Sequence, residues 1–154
     1  MCRVTLVVQT GLPSSAEQYI HRLGRTARAG RSGRGVLILA PFESFFLSSK
    51  DVKALPISSQ TLSAETLPLQ EIADSLTLVD NQAKAQAYCA WLGYYKQFLS
   101  KMGVKPHQFV EMANTYVTVT LGYPGTLPPP IEARTVGKMG LKGVKGLNIV
   151  KQKQ

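Results

Sequence analysis

Residues 19–34 read YIHRLGRTARAGRSGR, and within them five of the chain's seven arginines fall at an unbroken spacing of three: Arg22, Arg25, Arg28, Arg31 and Arg34. An exposed helix that serves only solubility mixes lysine, glutamate and arginine, because a surface ion pair needs no particular cation. Here only guanidinium is used. Guanidinium stays charged and presents a planar fork that meets phosphate oxygens two at a time, so arginines hung on small residues point to phosphate chemistry. Gly24, Thr26, Ala27, Ala29 and Gly30 leave room for such a ligand.

Within this stretch, His21-Arg22-Leu23-Gly24-Arg25-Thr26-Ala27-Arg28-Ala29-Gly30-Arg31 resembles motif VI of the DEAD-box RNA helicases, usually written HRIGRxGR or HRIGRTARAG. Every fixed position of HRxGRxxR is met. The flanks agree: VTLVVQTGLPSSAEQYIHR resembles the segment leading from motif V to motif VI in the second RecA-like domain, and GRGVLILAPFESFFL resembles the strand and helix after it. The resemblance implies that Arg25 and Arg28 are the catalytic, nucleotide-contacting residues, reaching across a cleft to ATP held on the other RecA-like domain. Their work would be that of arginine fingers, cations aimed at charge developing on the transferred phosphoryl group. By the same resemblance His21 contacts the DEAD segment opposite, Arg22 pairs inside its own domain, and Gly24 is structural. Leu23 replaces the common isoleucine and Ala27 the common glycine.

No G-x-x-x-x-G-K-[ST] occurs in the sequence, nor a DEAD segment, so the phosphate cradle and the Mg²⁺-holding carboxylates of such an enzyme are missing from these residues. Met1-Cys2-Arg3 stand where the Arg-Gly pair and aspartate of motif V are expected. The reading is a C-terminal part of a helicase that begins inside a domain. ATP with Mg²⁺ is the cofactor implied for the intact enzyme, with none bound by this chain alone, which is expected neither to hydrolyse ATP nor to unwind RNA. The implied partners are RNA and the first RecA-like domain of the same parent protein. Cys2 and Cys89 form no CxxC and no His/Cys cluster, so neither a metal site nor a disulfide-linked partner is expected. His107, after Pro106, reads as a helix-start residue.

With 44% hydrophobic residues the chain has the composition of a globular domain, and no run of 18 or more apolar residues suggests a membrane-spanning helix or membrane partner. No targeting segment is expected within these residues. The net charge of +9 divides as +5 over residues 1–35, −1 over 36–130 and +5 over 131–154, which predicts a neutral body between two basic contact surfaces.

Residues 4–9 read as an apolar strand. Ser14 followed by Glu17 suggests a capping box for a helix running to about Arg28, ended by Gly30, Gly33 and Gly35. Residues 36–40 form a second buried strand, which makes a β-α-β unit with parallel strands. Pro41 then opens a helix over 42–49, with Phe42, Phe45 and Phe46 read as core. The Ser-, Thr- and Pro-rich residues 54–70 read as a connection. Asp80 is positioned to cap a helix through Met102 whose apolar face carries Ala83, Ala87, Ala90, Trp91, Tyr94, Tyr95, Phe98 and Leu99, stopped by Gly103. From Pro106 to about Val119 a second helix turns Phe109, Val110, Ala113 and Val117 inward. Tyr88, Trp91, Tyr94 and Tyr95 read as core aromatics rather than a base-stacking platform.

The fold class is therefore α/β: a partial RecA-like parallel sheet in 1–62, a small α-helical extension in 63–130 and a basic Gly/Lys tail in 131–154. The extension, with its YCAWLGYYKQF helix and TVGKMGLKGVKGLN segment, resembles that of fungal mitochondrial DEAD-box proteins acting as RNA chaperones, which implies the mitochondrial matrix. In the tail, Lys138, Lys142 and Lys145 alternate with glycines, letting the backbone approach a phosphodiester chain while the lysines neutralise it. A non-enzymatic RNA-binding module is the competing expectation.

Overall fold

The structure, a computed structural model, describes residues 4–27, 32–60 and 69–151. It divides into two compact units, residues 1–60 and 61–154.

In the first unit, β1 (Leu6–Thr10) and β2 (Arg34–Ile38) pair in parallel, with Leu6 opposite Arg34 and Thr10 opposite Ile38. Parallel neighbours need a crossover, and α1 (Ala16–Leu23) supplies it. The cap lies one residue later than the sequence suggested. Ser15 Oγ accepts from the Gln18 backbone N–H at 3.1 Å, and Gln18 Oε1 accepts from the Ser14 N–H at 2.9 Å.

The helix also stops early, at Leu23 rather than near Arg28. Gly24 disfavours continuation, and beyond it the backbone bonds tighten, Arg25 N–H to the Arg22 carbonyl at 3.2 Å and Thr26 N–H to the Leu23 carbonyl at 3.1 Å. Thr26, 6% exposed, then donates its hydroxyl to the Val4 carbonyl at 2.8 Å. Ala27 follows at φ 55°, left-handed backbone that glycine adopts without strain. That is the position where the resemblance expects glycine.

Among the described residues, only one sheet face is covered. Leu23 lies against Gly35, and Gln9 donates Nε2 to the Tyr19 carbonyl at 3.2 Å, whereas Leu6, Val8 and Ile38 on the other face are exposed. After β2 a 3₁₀-helix (Pro41–Ser48) leads into α2 (Lys50–Lys53). Phe46 meets the edge of Tyr19 at 6.2 Å, and both are buried with Leu12 and Val52. Glu43, 2% exposed, ties this end together: Oε1 accepts from the Leu12 N–H at 2.8 Å and Oε2 from the Ala40 N–H at 2.6 Å.

The second unit begins with α3 (Leu69–Thr77), a helix the sequence reading lacked. Asp80 Oδ1 accepts from the Ala83 N–H at 2.8 Å and starts α4 (Asn81–Tyr95), which continues through a 3₁₀ turn (Lys96–Phe98) into α5 (Leu99–Met102). Gly103 ends it at φ 68°. α6 (Pro106–Thr115) widens into a π-turn (Tyr116–Thr120). Phe109, Val110, Ala113 and Val117 are buried as the spacing indicated, and Trp91 stacks on Phe109 and Tyr116 at 5.2 and 5.9 Å.

The buried stripe of α4 only partly follows the expected face: Tyr88 is buried and Trp91 and Tyr95 pack against the core as read, but Lys84 and Leu92 join the buried stripe and Ala90 is exposed. Lys84 enters the stripe because its Nζ donates to the Gly122 carbonyl at 3.1 Å beyond the π-turn, leaving its methylenes in apolar surroundings. Nor is the basic stretch 131–154 a separate tail, as far as the described residues show. β3 (Ile131–Glu132) pairs in parallel with β4 (Ile149–Val150), α7 (Ala133–Lys138) lies between them in sequence, and Ile131, Val136 and Leu141 complete the core around Tyr88 and Phe109. Asn114 joins three segments: its Oδ1 accepts from the Tyr88 hydroxyl at 2.7 Å and its Nδ2 donates to the Gly146 carbonyl at 3.0 Å.

Two outcomes follow from these contacts. Thr26→Val should cost about 1–2 kcal/mol in denaturant unfolding of the first unit, by orphaning the Val4 carbonyl. Gly33→Ala should cost more, since its Cβ would run into the Thr26 side chain and come within 2.7 Å of the Ala27 nitrogen. In the second unit, burial and then the neighbouring Cys89 push the Tyr88 phenol from 10.0 up to about 12. The unfolded chain therefore releases this proton first as pH rises. The associated stability, complete below pH 10.0, should fall by up to about 3 kcal/mol on passing to about 12, with half-buried Cys89 and Tyr116, also raised by desolvation, acting in the same direction. Trp91 fluorescence during urea titrations at successive pH values would follow it. Tyr88→Phe should flatten the alkaline slope while costing about 1–2 kcal/mol at neutral pH through the missing bond to Asn114.

Candidate functional site

The last turn of α1 and the residues after it carry the polar groups singled out by the sequence. His21 and Arg22 lie on the helix and Arg25 on the tightened turn, all three exposed. With Val7, Val8, Gln9 and Thr10 they line an open concavity of about 480 Å³. Successive strand residues point to opposite faces, so four in a row lining one space means that the concavity runs along the edge of β1. The backbone of Arg25 is set by the preceding Gly24 and the anchored Thr26, and its guanidinium Nη2 lies 2.6 Å from His21 Nε2.

This places two cations, Arg22 and Arg25, and one imidazole around a space whose strand side is uncharged. Such a surface attracts an anion and offers forked N–H donors to it. Arg28, the second expected finger, and Arg31 lie outside the described residues. Among the described residues no group of three or more His, Cys, Asp or Glu side chains is placed to hold a metal ion.

Gln9 went unnoticed in the sequence. It is 5% exposed, uses Nε2 on Tyr19, and leaves Oε1 buried without a hydrogen-bond partner. An amide inside an otherwise apolar strand was the available signal. The contacts of Thr26, which reads in the sequence as a small residue leaving room for a ligand, and of Gly33, which reads as a helix terminator, fix the turn that carries Arg25.

In the second unit, Lys138, Lys142 and Lys145 are all exposed. The latter two sit on a chain of three-residue steps. Leu141, Val144 and Leu147 pack into the core, and each lysine precedes a left-handed glycine, Gly143 at φ 80° and Gly146 at φ 98°. The Val144 N–H closes the first step on the Leu141 carbonyl at 3.1 Å, and Asn114 holds the second through Gly146. Lys96 Nζ donates to the Lys138 carbonyl at 2.8 Å, so Lys138 too stands on anchored backbone.

Known proteins resemble the chain along nearly its whole length. It is 50% identical over 149 residues to the mitochondrial ATP-dependent RNA helicase MSS116 of Phaeosphaeria nodorum, covering 95% of this chain and 26% of that protein. It is 46% identical over 147 residues to DEAD-box ATP-dependent RNA helicase 25 of Arabidopsis thaliana, covering 95% and 25%. The chain thus spans about a quarter of the length of the curated relatives it matches. No family model matches it. Among solved structures, Mss116p bound to ssRNA and AMP-PNP superposes with a TM-score of 0.70 at 24% identity, over 97% of this chain and 30% of that one. Helicase domain 2 of Mss116p bound to an RNA duplex gives 0.69 at 22% identity, over 98% and 60%. These two establish a shared fold, with small parallel sheets among helices as in that domain. With half of its residues shared with one such helicase and the fold of a helicase domain 2, the chain corresponds in sequence to part of proteins named DEAD-box RNA helicases.

Proposed function

We propose that this chain is the C-terminal part of an ATP-dependent RNA helicase with RNA-unwinding and RNA-chaperone activity, and that it supplies Arg25 and Arg28 to ATP bound on the first RecA-like domain. The observation that carries the reading is the exposed Arg25 guanidinium beside His21 at the rim of an open concavity, within a complete motif VI. Bound with the nucleotide on the opposite domain, Mg²⁺ would supply charge neutralisation there. This chain's part is to bring fixed N–H donors to the phosphate from the other side, where they act on charge that develops only in the transition state. RNA and ATP together would draw the two domains shut, and release of phosphate would let them reopen.

Lys138, Lys142 and Lys145 are proposed as sequence-independent contacts to the RNA backbone, presented on anchored turns. The relatives named mitochondrial support a mitochondrial protein, with the matrix as the proposed compartment.

Mixing the chain with the first RecA-like domain of its parent should produce RNA-dependent ATP hydrolysis that neither part shows alone. Arg25→Ala should lower it by about 10³-fold or more. Replacing Lys142 and Lys145 by alanine should weaken single-stranded RNA binding about equally across sequences and reduce the salt slope by roughly 0.7 for each phosphate no longer neutralised. Salt-sensitive RNA binding without any gain of hydrolysis on mixing would leave the non-enzymatic RNA-binding module, the reading favoured by the lysine turns alone.

A further inference from the structure

We infer that His21 is a positioning residue for Arg25: its neutral imidazole, with the proton on Nδ1, accepts the guanidinium at Nε2 and fixes how that cation faces the concavity. The inference rests on the reading of Arg25 as a phosphate-contacting finger and adds what aims it.

The 2.6 Å contact between Arg25 Nη2 and His21 Nε2 has only one chemically consistent form. Guanidinium carries N–H donors, no lone pair, and does not deprotonate, so the imidazole nitrogen must be the acceptor. An imidazolium has no lone pair to offer and would repel the arginine. Nε2 is therefore bare and the ring proton sits on Nδ1. The two residues are one helical turn apart, but Arg25 lies past the helix end, where its backbone is held by the Arg22 carbonyl and by the Thr26 bond to Val4. One end of the side chain is thus set by the turn and the other by the imidazole.

The nature of the acceptor matters. The β1 residues along the concavity, Val7, Val8, Gln9 and Thr10, carry no charge, and α1 contributes Arg22 to the same rim. Glu17, the acidic residue of α1, belongs to its first turn, at the other end of the helix. A carboxylate in place of His21 would hold Arg25 equally well but neutralise it. An imidazole restricts the guanidinium while leaving its whole positive charge for an incoming anion. That combination of fixed direction and unspent charge is what electrostatic stabilisation of a phosphoryl group requires.

Ring-nitrogen NMR of the ¹⁵N-histidine-labelled full chain tests the contact directly, with His107 as the internal comparison. At a pH where both rings are neutral, His21 should show a protonated Nδ1 and a bare Nε2, and Arg25→Ala should return it to a tautomer mixture like that of His107. A protonated Nε2 in the unaltered chain, or no change on Arg25→Ala, overturns the inference. Function is read in the mixture with the first RecA-like domain. His21→Ala should lower RNA-dependent kcat on the order of 10–100-fold, and His21→Gln, whose Oε1 reaches the place of Nε2 and can accept, should restore most of it. If Arg25→Ala abolishes hydrolysis while both His21 variants match the unaltered chain, the finger reading stands and the positioning role falls. If Arg25→Ala itself changes nothing, both fall. Amide spectra of each variant separate these outcomes from misfolding.

Discussion

The hydroxyl of Thr26 on the carbonyl of Val4 is the contact on which the first unit's chemistry depends. A parallel pair of strands obliges the chain to cross over one face and come back, and the return must pass the edge of the sheet. At that return the helix has already ended, and side chains beyond a helix end ordinarily have no fixed bearing. Thr26 ties the turn to Val4, two residues before β1, Gly33 lets the two passes of the chain lie against each other, and Ala27 accepts left-handed backbone to make the bend. Arg25 therefore stands on backbone held from both sides, by the Arg22 carbonyl and by the bond of Thr26 to Val4. Without that bond the turn's arginine would be merely a charge on a loop.

The second unit solves a different problem by related means. Its apolar core is small, and two polar side chains within it connect pieces that are remote along the chain. Lys84 reaches the carbonyl that follows the π-turn, and Asn114 links α4 through Tyr88 to the glycine-rich turns after α7. Both carbonyls lie outside helices and strands, and these side chains give them partners that no regular ladder supplies. The same bonds decide where the lysines stand. The expected division into a helical extension and a tail dissolves, because the tail's apolar residues are part of what the helices close around.

Much of this was legible in advance, and what was not has identifiable physical causes. Apolar runs and the β-α-β arrangement located both strands, Asp80 and Pro106 marked the starts of two helices, and the Phe109 to Val117 spacing identified an inward face. The end of α1 differs from the sequence expectation because the pattern of every third arginine continues smoothly through Gly24, where the helix stops, and the turn beyond it is held by a long-range bond to Val4 that no local pattern records. The burial of Lys84 has no counterpart in the sequence pattern, because charge ordinarily goes to the surface and its partner lies 38 residues away. α3 was hidden by a Ser-, Thr- and Pro-rich approach that reads as linker. Of the site, the arginine motif was plain, whereas the His21 to Arg25 contact needed the helix end to be placed correctly first. Gln9 shows in the sequence only as an amide within an apolar strand, and nothing local to Gly33 records its contact with Thr26.

The steps from Leu141 to Leu147 have one more property. Apolar, lysine and glycine recur with a period of three, and each repeat returns the chain to the same orientation, apolar side chain inward and cation outward. Gain or loss of a whole triplet preserves that phase while changing how many charges the surface displays. Gain or loss of one or two residues would turn a lysine into the core and a leucine into water. The three-residue period is therefore a constraint on length as well as on composition, because the phase of the repeat, and not its residues alone, keeps the charges in water.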